Sequence, residues 1–294
     1  MSIDGIVLID KPQGPTSHDV VARTRRIFGT RKVGHAGTLD PMATGMLVLG
    51  IGRGTRLLGY LTASDKEYVA TIRLGIATDT DDAQGEIINQ VSAEQITDAQ
   101  ILETVRDYRG HIWQRPSNVS AIKIDGKRAY ARVRDGEEIE IPQRQVMVHD
   151  LEILSIEHID VEHLIDVKVR VVCSAGTYIR ALARDIGAQL GVGGHLTSLR
   201  RTRSGVFSEM VALDLLEENP KFIPLADAVR AAFPVLVIPD SEIVRARHGV
   251  KIPAPIEAGS GINAVFSADG EVISLCENVS NELIPVVVFM HGQG

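Results

Sequence analysis

Apolar residues recur at every second position in several stretches of the chain and at three- and four-residue spacing in a few others, which predicts a mixture of strands and helices. Gly5 to Asp10 reads as a short strand, and Met46 to Gly52, MLVLGIG, as an apolar run closed by glycines. Glu67 to Leu74 alternates, with Tyr68, Ala70 and Ile72 on one face and Val69, Thr71 and Arg73 on the other. Val146 to Ile159 and Leu164 to Cys173 complete the strand pattern, the second with Ile165, Val167, Val169 and Val171 on one side. After the breaker-rich turn Lys11 to Pro15, Thr16 or Ser17 can cap a helix through Phe28. Val20, Val21, Thr24 and Ile27 form its inner stripe, Asp19 sits in its first turn and Gly29 lies beyond its end. A second helix is expected over Ala93 to Arg109, with Thr97 as a candidate cap. A third is expected from Tyr178 to Leu190 behind the turn Ser174 to Thr177, with Tyr178, Leu182 and Ile186 on one face and Arg180 and Arg184 on others. Val211 to Val229 suits one or two helices broken at Pro220 and Pro224. Beyond Phe233, short apolar runs separated by Gly, Asn and Ser predict a small β-rich module.

A chain of 294 residues, 44% of them hydrophobic, can bury a substantial core, and the pattern divides it into a large unit at 1–230 and a small one at 231–294. Residues 112–144 are rich in charge and weakly periodic. Two cysteines, Cys173 and Cys276, are too few for a disulfide framework and fit a reducing cytoplasm. The pattern has neither a secretory leader nor a membrane-length apolar run. A net charge of −7 argues against indiscriminate coating of nucleic acid. Basic residues nonetheless gather at Arg23 to Lys32, Lys123 to Arg134 and Arg200 to Arg203, which would suit phosphate contacts.

Candidate chemistry concentrates in Arg31 to Gly54, RKVGHAGTLDPMATGMLVLGIGRG. Gly34, Gly37 and Gly45 allow turns or close backbone approach, and Pro41 biases Asp40 towards an extended backbone, so Asp40 is expected at a bend in front of a buried strand. Taken one at a time, the residues have ordinary readings: Asp40 as a turn residue, His35 as a satisfied polar group, Tyr68 as a core tyrosine and Arg180 as a surface ion-pair partner. The acidic loop Thr78 to Gly85 lacks the ligand spacing of a calcium loop, and no GxxxxGK[ST] phosphate-binding string occurs.

The string HAGTLDPMATG, His35 to Gly45, resembles the central motif of the TruB family of pseudouridine synthases, which isomerise uridine 55 in the T arm of tRNA. Gly5 to Val21, Asp65 to Gly75, Ser120 to Tyr130 and Cys173 to Gly187 are similar to that family in its own order, over roughly the first 205 residues. The resemblance implies an α+β fold, a central mixed, mainly antiparallel sheet flanked by helices, with a small β-rich PUA-like domain at the C-terminus. It implies Asp40 as the catalytic carboxylate, Arg180 as its partner, and Tyr68 as the ring on which the target uracil stacks. Tyr178 becomes a pocket wall, Leu199 an apolar contact to the flipped base, and His35 a residue that displaces or holds nucleotides. The 112–144 segment becomes a thumb whose Lys123, Lys127, Arg128 and Arg132 face phosphate, and the Lys11-Pro12 turn a structural element under the site. The implied partner is tRNA through its T-arm stem-loop, acted on by a monomer with no protein partner, no membrane and neither metal nor other cofactor. Two rivals follow from the same residues: a tRNA-binding or folding protein without catalysis, and a guide-RNA-dependent synthase of the dyskerin type. The well-developed 112–144 segment favours an enzyme that grips RNA itself.

Overall fold

Alternation becomes pairing in a single large sheet. The computed structural model describes residues 3–117, 123–124, 127–128 and 141–289, the side chains of 123–128 excepted. In chain order, β1 (Gly5–Lys11) and α1 (Ser17–Ile27) lead through β2 (Val33–His35) to β3 (Thr44–Ile51). Next come α2 (Leu58–Thr62), β4 (Lys66–Leu74), the hairpin β5 (Ile76–Thr78) and β6 (Ile87–Gln90), α3 (Asp98–Arg106) and β7 (Gly110–Gln114). The short pair β8 (Lys123–Ile124) and β9 (Lys127–Arg128) precedes β10 (Arg144–Ile159), β11 (Leu164–Cys173), α4 (Ile179–Gln189) and β12 (Gly194–Ser204). The chain continues with β13 (Val211–Ala212), α5 (Leu213–Glu218), β14 (Ile223–Pro224) and α6 (Leu225–Ala232). It ends in β15 (Val235–Val237), α7 (Asp240–Arg247), β16 (Ile252–Pro253), β17 (Gly261–Phe266), β18 (Val272–Val279) and β19 (Glu282–Val288).

The large sheet runs β13-β1-β3-β12-β4-β11-β10-β7, with β14 and β2 attached at its sides. Only β1 with β13 and β12 with β3 pair in parallel; the other partners in this sheet are antiparallel. The second sheet orders β15-β17-β18-β19-β16. The fold is therefore α+β, with a mixed, mainly antiparallel main sheet and a small β-rich C-terminal unit.

Period-two alternation explains the unbroken apolar run in β3. Leu47, Leu49 and Ile51 face one core with Val20 and Val21 of α1, while Met46 and Val48 face a second core. That second core also takes in Ile6, Leu57, Val229, Phe266, Leu275 and Phe289, so the small C-terminal sheet and the back of the large sheet bury one continuous apolar cluster. The expected 230/231 boundary falls within the last turn of α6, inside this shared packing. Among the described residues no helix is long and apolar enough to cross a membrane.

The starts of α1 and α3 follow side-chain caps. At α1, Thr16 and Asp19 form a reciprocal capping box, contributing about 1 kcal/mol. The helix expected over Ala93 to Arg109 begins five residues later, because Thr97 and Gln100 form the capping box that fixes its start at Asp98. The residues before it pack as a turn, with Ala93 buried.

Candidate active site

The Asp40 loop is held from three directions. Ser17, at the start of α1, donates its hydroxyl to the Leu39 carbonyl at 3.0 Å and accepts from the Leu39 amide at 2.9 Å. Gly14 donates to the Pro41 carbonyl at 2.9 Å, and the buried Lys11 ammonium donates to Pro12 and Pro41 carbonyls at 2.9 Å and 3.3 Å. Burial pulls Lys11 down to about 8, with the Asp40 charge opposing. The expected structural role of the Lys11-Pro12 turn has this physical form. Immediately after the loop, Gly45 has φ of +94°, and a Cβ there would lie 2.2 Å from the Arg201 carbonyl oxygen. Glycine is what lets β12 run beside the start of β3, pairing Arg201 with Gly45. That register carries Leu199 and Arg201 to the Asp40 loop.

Arg180 projects from the first turn of α4 and pairs with Asp40, Nε to Oδ2 at 3.0 Å. Its other end faces Asp82, Nη1 to Oδ2 at 3.3 Å, and donates to the Thr80 carbonyl at 2.8 Å. The side chain is 4% exposed, so the helix does not place it at the surface: α4 is buried around most of its first turn, including Ile179, Ala181, Leu182 and Ala183. Asp82 is fixed in turn by the Thr80 hydroxyl at 2.7 Å and the Gln84 amide at 3.0 Å. Burial pushes the Asp40 carboxyl above its ordinary range; Arg180 pulls the other way, and the Asp82 charge adds to the rise.

Tyr68 stands on β4 with its hydroxyl close to the Arg201 guanidinium, and burial pushes the phenol above its ordinary range. Arg201 is 1% exposed and donates from Nε to Met46 O at 2.6 Å and from Nη2 to Gly37 O at 3.1 Å. One guanidinium thus ties together β3, the Asp40 loop and Tyr68. These groups surround a pocket of about 370 Å³, where Asp40, Tyr68, Tyr178, Arg180 and Leu199 converge with Lys66 and Arg144. A polar end, carboxylate and guanidinium, faces a wall of two phenol rings and a leucine.

Five of the residues expected at the site therefore meet in one cavity. His35 does not line it; at the end of β2 its ring packs edge-on against His18, 5.6 Å between centroids. Lys123 and Arg128 pair through their backbones in β8 and β9, and their side chains, with that of Lys127, lie outside the described residues, as does Arg132 altogether. The phosphate contact expected of Arg201 needs correction. Arg201 is buried, Arg200 makes a two-point pair with Asp10 at 2.9 Å and 2.7 Å, and Arg203 donates to Gly205 O. Arg23 likewise pairs with Asp214 and Glu217, and Arg245, Arg247 and Lys251 with Glu242, Glu271 and Glu282. Arg23, Arg200, Arg245, Arg247 and Lys251 are thus matched by acids brought close in space. Asp82, Lys66 and Arg201 join the site without a sequence expectation to announce them; the acidic loop around Asp82, whose spacing does not suit a metal, is the one signal the sequence offers, as a counter-charge to a buried arginine.

Three family models match the chain: TruB family pseudouridylate synthase (N terminal domain) over residues 25–179, tRNA pseudouridylate synthase B C-terminal domain over 180–223, and tRNA pseudouridine synthase II, C terminal, over 233–290. A protein of Thermobifida fusca named tRNA pseudouridine synthase B is 51% identical over 97% of this chain and 98% of its own. One of the same name from Corynebacterium diphtheriae is 51% identical over 97% and 95%. Among solved structures, a Cbf5-Nop10-Gar1 complex holds a chain 30% identical at a TM-score of 0.72, covering 97% of this chain and 85% of that one. An H/ACA RNP bound to a substrate RNA containing 2′-deoxyuridine holds another, 28% identical at a TM-score of 0.71, over 98% and 85%.

Proposed function

The chain belongs to the TruB family of pseudouridine synthases, and from that premise we propose that the pocket around Asp40 isomerises uridine 55 in the T loop of tRNA. It is an isomerase that converts uridine in tRNA to pseudouridine. The observation that carries the finer reading is the Asp40–Arg180 pair, whose carboxylate opens on a cavity walled by Tyr68, Tyr178 and Leu199.

Isomerisation breaks the bond from N1 to C1′, turns the uracil and joins C5 to C1′, with the C5 proton lost and N1 reprotonated. A base in a folded loop must first leave its stack, at a cost of a few kcal/mol that stacking on Tyr68 offsets in part. Ionised Asp40 has two routes: attack on C1′, or stabilisation of positive charge at the sugar while a sugar proton departs. Both need the carboxylate charged, which Arg180 favours. Tyr178 and Leu199 bound the cavity in which the freed base turns.

The working unit of this proposal is a monomer in the cytoplasm, catalytic over 1–230, with a PUA-like unit at 231–294 and no guide RNA. The likeness to the Cbf5 complexes supports the alternative, a guide-dependent synthase. A bare T-arm stem-loop without other proteins separates them: turnover there supports the guide-independent reading, and turnover only with a guide and partners replaces it. Asp40→Asn should abolish pseudouridine formation on that stem-loop while leaving RNA binding largely intact. Sustained turnover by the variant would reject the role given to Asp40.

A further inference from the structure

Tyr178 ends no strand and begins α4 without a side-chain cap, a weak place to anchor a pocket wall. Its main chain is secured by a residue 64 positions away. Gln114, the last residue of β7 and 0% exposed, donates from Nε2 to Tyr178 O at 2.9 Å and accepts the Tyr178 N–H at Oε1 at 2.7 Å. The side-chain amide satisfies both backbone groups of one residue, as a neighbouring strand would. Gln114 pairs in register with Arg144, the first residue of β10. Arg144 donates to Gly176 O and lays its guanidinium over the Tyr178 ring, 4.7 Å from the centroid. One rung of the β7–β10 ladder therefore grips Tyr178 twice, by main chain and by ring. Two residues on, the same helix presents Arg180 to Asp40.

We infer that Gln114 is a positioning residue for the isomerisation: it touches no substrate, and through Tyr178 it sets the first turn of α4, and so the distance from Arg180 to Asp40. The inference rests on the isomerase reading for its kinetic consequence, not for the clamp itself. A displacement of a fraction of an ångström in this turn moves both the base-contacting ring and the guanidinium. The loss therefore falls on the chemical step and not on capture of tRNA.

The amide has a titratable mimic. In Gln114→Glu the protonated acid keeps one donor and one acceptor, whereas the carboxylate only accepts and repels Tyr178 O. Gln114→Leu keeps the shape and loses both. Single-turnover pseudouridine formation on a T-arm stem-loop should fall about ten- to a hundredfold in Gln114→Leu, with the dissociation constant for the RNA within about twofold of wild type. The rate of Gln114→Glu divided by that of wild type at the same pH should climb as pH is lowered. A wild-type rate in Gln114→Leu, or a ratio for Gln114→Glu that does not change with pH, overturns the inference. If Gln114→Leu does not fold, the Gln114→Glu ratio decides by itself. Amide hydrogen exchange over residues 175–182 needs no turnover: faster exchange in Gln114→Glu at neutral pH, slowing relative to wild type on acidification, supports the clamp. Unchanged exchange refutes it even if wild type proves inactive on uridine.

Discussion

Arg180 meets Asp40 as the desolvated partner of an unequal pair: the guanidinium is 4% exposed, the carboxylate 37%, and 3.0 Å separates Nε from Oδ2. The cation is buried and balanced at its other end by Asp82. Both groups line the cavity, but the carboxylate is the more open of the two, which is the orientation a group needs if it is to act on something that enters.

The pH dependence follows from the charges around Asp40. Burial holds its carboxyl above the ordinary value of about 3.9. If only the ionised form acts, activity is lost as pH falls through that raised value, and the acid limb of single-turnover isomerisation lies above the ordinary carboxylate range. Asp82 contributes to the rise, so Asp82→Asn should move the limb to lower pH. A rate profile from pH 4 to 8 for both proteins reads the order of the two limbs; coincident limbs would contradict it.

Arg180→Lys keeps the charge and loses the fork. A single ammonium cannot reach Asp40, Asp82 and Thr80 O together from the positions Nε and Nη1 now occupy. Single-turnover rate should drop about 100-fold while tRNA affinity by filter binding changes little. Equal losses in both would show that Arg180 serves binding and not the reaction.

Gly45→Ala should be more damaging to stability than most core substitutions. It combines a left-handed backbone position with a methyl group directed into the Arg201 backbone. A loss of about 3 kcal/mol or more is expected from strain and overpacking together, read from urea denaturation midpoints. A shift below about 1 kcal/mol would mean that β12 can slide away from β3 freely.

Removing 231–294 should not liberate a stable catalytic half. Ile6, Met46, Val48 and Leu57 would lose Phe266, Leu275 and Phe289 from their packing, and Arg53 its 2.8 Å hydrogen bond to Phe289 O. The truncated chain is expected to bind a hydrophobic dye and to lose its sharp calorimetric transition. A cooperative melt near that of the full chain would show that the two sheets are thermodynamically separate.

The strands and the capped helix α1 were legible because alternation and capping are local rules, and Tyr68 was placed correctly on the face of Ala70 and Ile72. What stayed hidden was buried charge. Arg201, Lys11 and Lys66 are all enclosed, and burial pulls the Lys66 ammonium down to about 8, yet a lysine or arginine in sequence reads as surface. Arg180 was assigned through resemblance alone, since its position on α4 lay off the expected stripe and the helix turned out buried on several faces. The start of α3 differs from the apolar pattern for the opposite reason: the periodicity runs on through Ile96, and the Thr97–Gln100 box marks the first turn.

Asp82 sits on the loop joining β5 to β6, bridged there to Leu196 of β12, and shares the Arg180 guanidinium with Asp40. That loop works as a dial. A substitution at Asp82 that spares the loop's backbone bonds to Leu196 would retune the acidity at which the carboxylate becomes charged, without replacing any group that meets the base. The reaction's operating range is thus separable from its architecture, and can drift without the pocket being rebuilt.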